Sequence, residues 1–150
     1  MPDALLKIRI SEETKATMRA RDSRKLGVLR LVASEIKRLE VDERRELTDG
    51  DILAILERMN KQRNDSEQQF RAAHRVDLAD QESFEIAVIR TFMPAPLSDT
   101  ELTELVQAAI AESGATSGRD MGTVMNLLRP RVVGRADMKG LSALVKSQLG

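Results

Sequence analysis

The aliphatic residues of this chain recur at three- and four-residue steps, a spacing that lines one side of an α-helix and cannot line one face of a strand. The clearest run is Leu26, Leu29, Val32, Ala33, Ile36 and Leu39. No segment alternates apolar and polar residues as a half-buried strand does. Three Phe and no Trp or Tyr in 150 residues leave the core to Leu, Ile, Val and Ala, with 32% charged residues interleaved. This is the composition of a helix bundle. The expected fold class is all-α, a bundle of about four helices followed by a smaller three-helix part.

A first helix is expected over residues 4–21 with Leu5, Ile8 and Met18 on its inner side. Asp22 or Ser23 can cap the second, which ends near Val41. Thr48 and Asp51 have the spacing of a short-armed capping box for the third, with Ile52, Ile55, Leu56, Met59 and Phe70 inward and a very polar second half from Lys61 to Gln69. A fourth is expected over residues 78–92, with Phe84, Ala87, Val88 and Thr91 facing in.

The strongest boundary is Met93-Pro94-Ala95-Pro96, because proline lacks an amide donor and disfavours helix at the residue before it. It separates an N-terminal domain, residues 1–93, from a C-terminal one, residues 97–150. Ser98 and Glu101 then form a capping box, with Leu97 and Leu102 at the positions of a hydrophobic staple. The fifth helix stops at Gly114. A sixth starts near Ser117 and runs until Pro130 perturbs it. Gly134 marks a turn, and Asp137 caps a last helix carrying Leu141, Leu144, Val145 and Leu149.

Most chemistries lack their parts. A serine nucleophile needs a tight elbow and a positioned base, whereas Ser113-Gly114 and Ser117-Gly118 lie where helix caps are wanted. His74 is the one histidine, and it stands at a turn between helices without partners in sequence. With no cysteine and no calcium-loop spacing at Asp49-Gly50-Asp51, neither a metal nor a cofactor is expected. The Met1–Ile10 stretch is charged, and nothing approaches the about 20 apolar residues of a membrane span, so a cytoplasmic location is the default expectation.

Charge is uneven although the formal net charge is zero. Met1–Arg38 holds ten basic residues against five acidic, and Gly114–Gly150 six against two. The candidate RNA-binding residues are Arg129, Arg131, Arg135, Lys139 and Lys146, set around a bent backbone where guanidinium forks and free amides can meet phosphates. The competing reading is a solvated helix end. Without aromatic platforms, contact with a folded RNA backbone is favoured over single-strand stacking.

Gly122-Thr123-Val124-Met125, Pro130, Gly134-Arg135-Ala136-Asp137 and Val145-Lys146 resemble the YqeY family. So do Ala20-Arg21-Asp22, Leu29-Arg30, Ile36-Lys37, Leu47-Thr48, Lys61-Gln62-Arg63 with Ser66 and Phe70, Asp77-Leu78-Ala79, and the junction Pro94-Ala95-Pro96-Leu97-Ser98 with Glu101 and Leu102. The likeness spans nearly the whole chain. It departs at His74, where the family often has glycine, and at Phe92-Met93 in place of Tyr-Leu. The resemblance implies an N-terminal helical domain joined to one similar to the tail of the B subunit of the tRNA-dependent Asn/Gln amidotransferase. That tail helps to hold tRNA, while the glutamine-dependent carbon-nitrogen ligation belongs to other parts of the enzyme. The implied role is a noncatalytic tRNA-associated protein whose RNA-facing surface runs from Gly122 to Lys139, with Arg135 as the leading backbone contact. The rival is a helical adaptor whose polar third helix meets a protein of the translation or tRNA-amidation machinery.

Overall fold

The computed structural model describes residues 5–132 and 135–150, all of whose regular structure is helical. Seven α-helices follow one another: α1 Leu5–Arg19, α2 Ser23–Glu43, α3 Asp49–Ala72, α4 Val76–Arg90, α5 Asp99–Ser113, α6 Met121–Val132 and α7 Met138–Leu149, with a 3-10 turn at Gly118–Asp120. The chain divides into two compact units, Met1–Pro94 and Ala95–Gly150. Each has its own aliphatic core.

In the first unit, Leu6 and Ile10 of α1, Val28, Leu29, Val32 and Ile36 of α2, and Ile52, Ile55, Leu56 and Met59 of α3 close around Val88, Ile89 and Phe92. The inner side of α1 is therefore not the expected one. Leu5, Ile8 and Met18 are 60, 52 and 51% exposed, and Leu6, Ile10 and Thr17 are buried instead. Apolar residues at positions 5, 6, 8 and 10 allow two helical stripes. Polar ties select between them: Lys7 bonds Glu40 at 2.8 Å and the Leu6 amide donates to Asp49 Oδ1 at 2.9 Å. In α4 the expected inward residues Ala87 and Thr91 are exposed, while Ala79, Ile86, Val88 and Ile89 are buried. Apolar residues crowd positions 84–89 too densely for spacing to choose a face. Ala33 also lies outside the buried stripe of α2, and Phe70 is only half-buried.

Where side chains close the helix ends, the local chemistry is visible. Thr48 and Asp51 form the full reciprocal box on α3. On α5 the Glu101 amide donates to Ser98 Oγ at 3.1 Å, but the cap is one-sided, since the Glu101 carboxylate faces Arg135 Nη2 at 3.8 Å. Ser117 caps the 3-10 turn Gly118–Asp120 that leads into α6, whose α-helical part begins at Met121 and runs through Pro130 to Val132. A proline in the last turn removes one amide bond and leaves the rest of the helix intact. Gly134 lies outside the described residues, as does the expected start of α1 at residue 4.

The polar half of α3 meets α4 along a charged seam. Arg63 lies 3.7 Å from Glu85 with both side chains largely buried, and Arg71 reaches Glu67 and Asp80. Arg63 and Arg71 are thus engaged with α4, although Arg63 Nε is buried without a hydrogen-bond partner. Burial, then the neighbouring Glu85 and Glu67, pushes the Glu82 carboxyl above its usual range, against the pull of Arg63. A raised carboxyl pKa means that the folded chain keeps a proton which the unfolded chain releases, so Glu82 lowers stability as pH rises through the carboxylate range. Glu82→Gln is expected to raise Tm at pH 7 and to give no gain below about pH 4, as read by thermal melts across that range.

His74 closes α3 with φ +59°, in the left-handed region. A side chain there costs about 1 kcal/mol relative to glycine. His74→Gly should raise Tm by a few degrees, measured by circular dichroism, with no loss of helix.

Candidate nucleic-acid interface

Five basic side chains of the second unit are the candidates, and the fold treats them unequally. Helix α6 turns by about 100° per residue, so Arg129 and Arg131 leave it on nearly opposite sides. Arg129 is exposed, its Nη1 donating to Asn126 Oδ1 at 2.9 Å. Arg131 instead crosses to α5 and pairs with Glu112 at 2.6 Å.

Arg135 is occupied in a different way. Its Nε donates to the Ala95 carbonyl at 3.0 Å. Its own carbonyl accepts the Leu97 amide at 2.9 Å, and its amide donates to the Val132 carbonyl at 2.9 Å. One residue thus ties the entry of α5 to the exit of α6, with Glu101 beside the guanidinium. The expected leading phosphate contact is a structural clasp whose remaining fork edge is only partly exposed.

Lys139 and Lys146 are seven residues apart on α7, two turns and about 10 Å along one stripe. Both are exposed, and neither has a partner among the described residues. The stripe is presented because Leu141 and Val145, on the opposite side of α7, are buried against Val124, Leu128 and Val132 of α6. Asp137 starts the helix by accepting the Lys139 and Gly140 amides at 3.4 and 3.2 Å. Gly122, in the first turn of α6, is exposed, and a Cβ added there would meet nothing within 4 Å. The acidic partners Glu101 and Glu112 are not legible as such in the sequence. Glu101 reads locally as a capping residue, and Glu112 finds Arg131 only across a helix pair.

Among the described residues no group of three or more His, Asp or Glu is arranged to hold a metal ion. No described helix is long and apolar enough to cross a membrane.

The sequence profile of the family described as Yqey-like protein matches residues 7–149. The chain belongs to the YqeY-like family. Among relatives, it is 25% identical over 138 residues to the protein named altered inheritance of mitochondria protein 41, mitochondrial, of Pyrenophora tritici-repentis, covering 88% of this chain and 76% of that one. It is 32% identical over 83 residues to an uncharacterized protein of Schizosaccharomyces pombe, covering 55% of this chain and 68% of that one. The family inferred from the ordered motifs is the one matched. The first relative's name places that relative in mitochondria and says nothing of where this YqeY-like chain acts.

The two arginine contacts make different demands on stability. Arg135→Gln should destabilise the second unit by about 1 kcal/mol, by removing the clasp on Ala95. Arg131→Gln, which removes an exposed pair, should cost at most about 0.5 kcal/mol. Urea unfolding of both variants measures the difference.

Proposed function

We propose that this YqeY-like protein is a noncatalytic accessory that holds the backbone of tRNA with α6 and α7 of its second unit. The observation that carries the reading is the α7 stripe. Lys139 and Lys146 stand two turns apart, exposed and without a described counter-charge, while Arg131 and Arg135 are consumed by internal contacts. Exposed Arg129 and the open space over Gly122 extend the same reading toward α6. Cations left unneutralised by the fold are the ones free to release counterions from a phosphate backbone, which supplies most of the affinity of such contacts.

The likeness of this unit to the amidotransferase tail rests on the motifs from Gly122 to Lys146, and under it the chain would carry RNA for chemistry performed elsewhere. Nothing in the described side chains supplies a nucleophile beside a base, so the proposal assigns no bond-making step.

Lys139→Glu with Lys146→Glu should weaken binding of labelled tRNA at low salt by at least tenfold, with the circular dichroism spectrum unchanged. Arg129→Glu should add a smaller loss. Binding by the double variant equal to that of the parent would overturn the α7 surface. Reversals at Arg131 and Arg135 are poor probes, because each also breaks a contact inside the unit.

A further inference from the structure

The first unit also leaves exposed cations without partners among the described residues. Between positions 13 and 40 every carboxylate is engaged within the unit. Glu13 bonds Lys25, Asp22 accepts the Lys25 amide, Glu35 meets Arg38 and Arg58, and Glu40 holds Lys7. Arg24 is spent on the Phe84 ring, 3.8 Å from its centroid. Lys15, Arg19, Arg21, Arg30 and Lys37 remain exposed with no partner among the described residues.

On α2 these charges fall on an ordered face. Ser23, Gly27, Arg30, Ser34 and Lys37 follow at three- and four-residue steps along one side of the helix, and all are exposed. Arg30 and Lys37 are therefore about 10 Å apart on that side. Gly27 lies inside the helix without a positive φ, and a Cβ there would meet nothing within 4 Å. Glycine is the poorest helix former after proline. Neither backbone conformation nor packing asks for one here, and the missing side chain lets a partner approach the helix backbone closely.

We propose that this α2 face is a second RNA contact, separate from α7, which takes the phosphate backbone along Arg30 and Lys37, with Gly27 as low ground about one turn before Arg30. The proposal shares its partner class with the function proposed above and stands on different residues. Backbone contact is favoured over base reading because no aromatic residue lies on the face; the three Phe side chains are turned inward or half-buried. The exposed apolar residues near this face are Val41 at its end and Leu31 at its edge, too few for an inserting apolar side, while Ser34 between the cations and Ser23 at the helix start offer hydroxyl donors to phosphate, which favours RNA over an acidic membrane.

The test uses the full chain, labelled tRNA and a salt titration. Arg30→Gln with Lys37→Gln should weaken binding about tenfold at low salt and reduce the log–log salt slope by about two, one for each phosphate that is no longer neutralised. Gly27→Ala should raise Tm by a few degrees and yet weaken RNA binding severalfold, a pairing that a merely structural glycine would not produce. The α2 face is overturned by an unchanged affinity and slope in the double variant, or by Gly27→Ala stabilising without weakening. It is also overturned by equal binding of the parent to phosphatidylserine vesicles that disappears in the same variants. Weakening confined to the Lys139 and Lys146 variants removes this surface and leaves the α7 reading standing; weakening confined to the α2 variants does the reverse. A parent chain that binds no tRNA at low salt overturns both.

Discussion

Three helices of the first unit meet at the corner between α2 and α3, and the carboxylates there decide how they meet. Glu40 holds Lys7 of α1 and lies 3.4 Å from the Leu47 amide. Asp49 accepts the Leu6 amide, and Asp51 both returns the Thr48 cap and receives Arg45 at 2.7 Å. Leu47, at the centre, is 1% exposed. The hydrogen bond from Arg45, followed by those from Thr48, holds the Asp51 carboxyl far below its usual range, and the bond from Lys7 lowers Glu40. Depressed carboxyls stabilise the folded chain above the unfolded pKa of about 4 and lose that contribution as pH falls below it. An aliphatic core is attracted to any apolar surface; this corner supplies the direction that the core lacks.

The same division of labour explains the second unit. Its core of Val106, Val124, Leu128, Leu141 and Val145 sets which sides of α6 and α7 are hidden. The side-chain ties then determine which exposed charges are already committed. Arg135 clasps Ala95, Arg131 meets Glu112, and Lys139 and Lys146 are left. A basic segment that reads as one uniform patch along the chain becomes two arginines with partners inside the unit and a separate stripe of lysines without partners among the described residues.

Local signals are legible where the partner is a few residues away. Thr48 with Asp51 and Asp137 before α7 accept bonds from neighbouring amides, and Gly114 after α5 takes a left-handed φ and donates its amide to the carbonyls a turn before it, so their geometry is contained in the sequence. Spacing misleads where the deciding partner is distant. The face of α1 depends on Glu40 and Asp49, some 33 and 43 positions from the α1 residues they bind. The one-sided cap at Ser98 depends on Arg135, which draws the Glu101 carboxylate away. Asn60 and Arg63 are equally illegible as members of the seam, because the hidden position of their polar atoms Oδ1 and Nε follows from the approach of α4.

By itself the sequence determined an all-helical chain in two parts, the helix-starting caps, the family, and the basic bias of both ends. These follow from periodicity, from proline and glycine chemistry, and from motif order, all of which act along the chain. The tertiary structure alone decided that Leu6 and Ile10 rather than Leu5 and Ile8 face the core, that Arg131 and Arg135 meet partners inside their unit, and that Gly27 has open space above it. The physical reason is common to these cases. Whether a side chain is buried, paired or free depends on what the other helices bring to it, and hydrophobic spacing records that a helix has an inner face without recording which charges will meet across it.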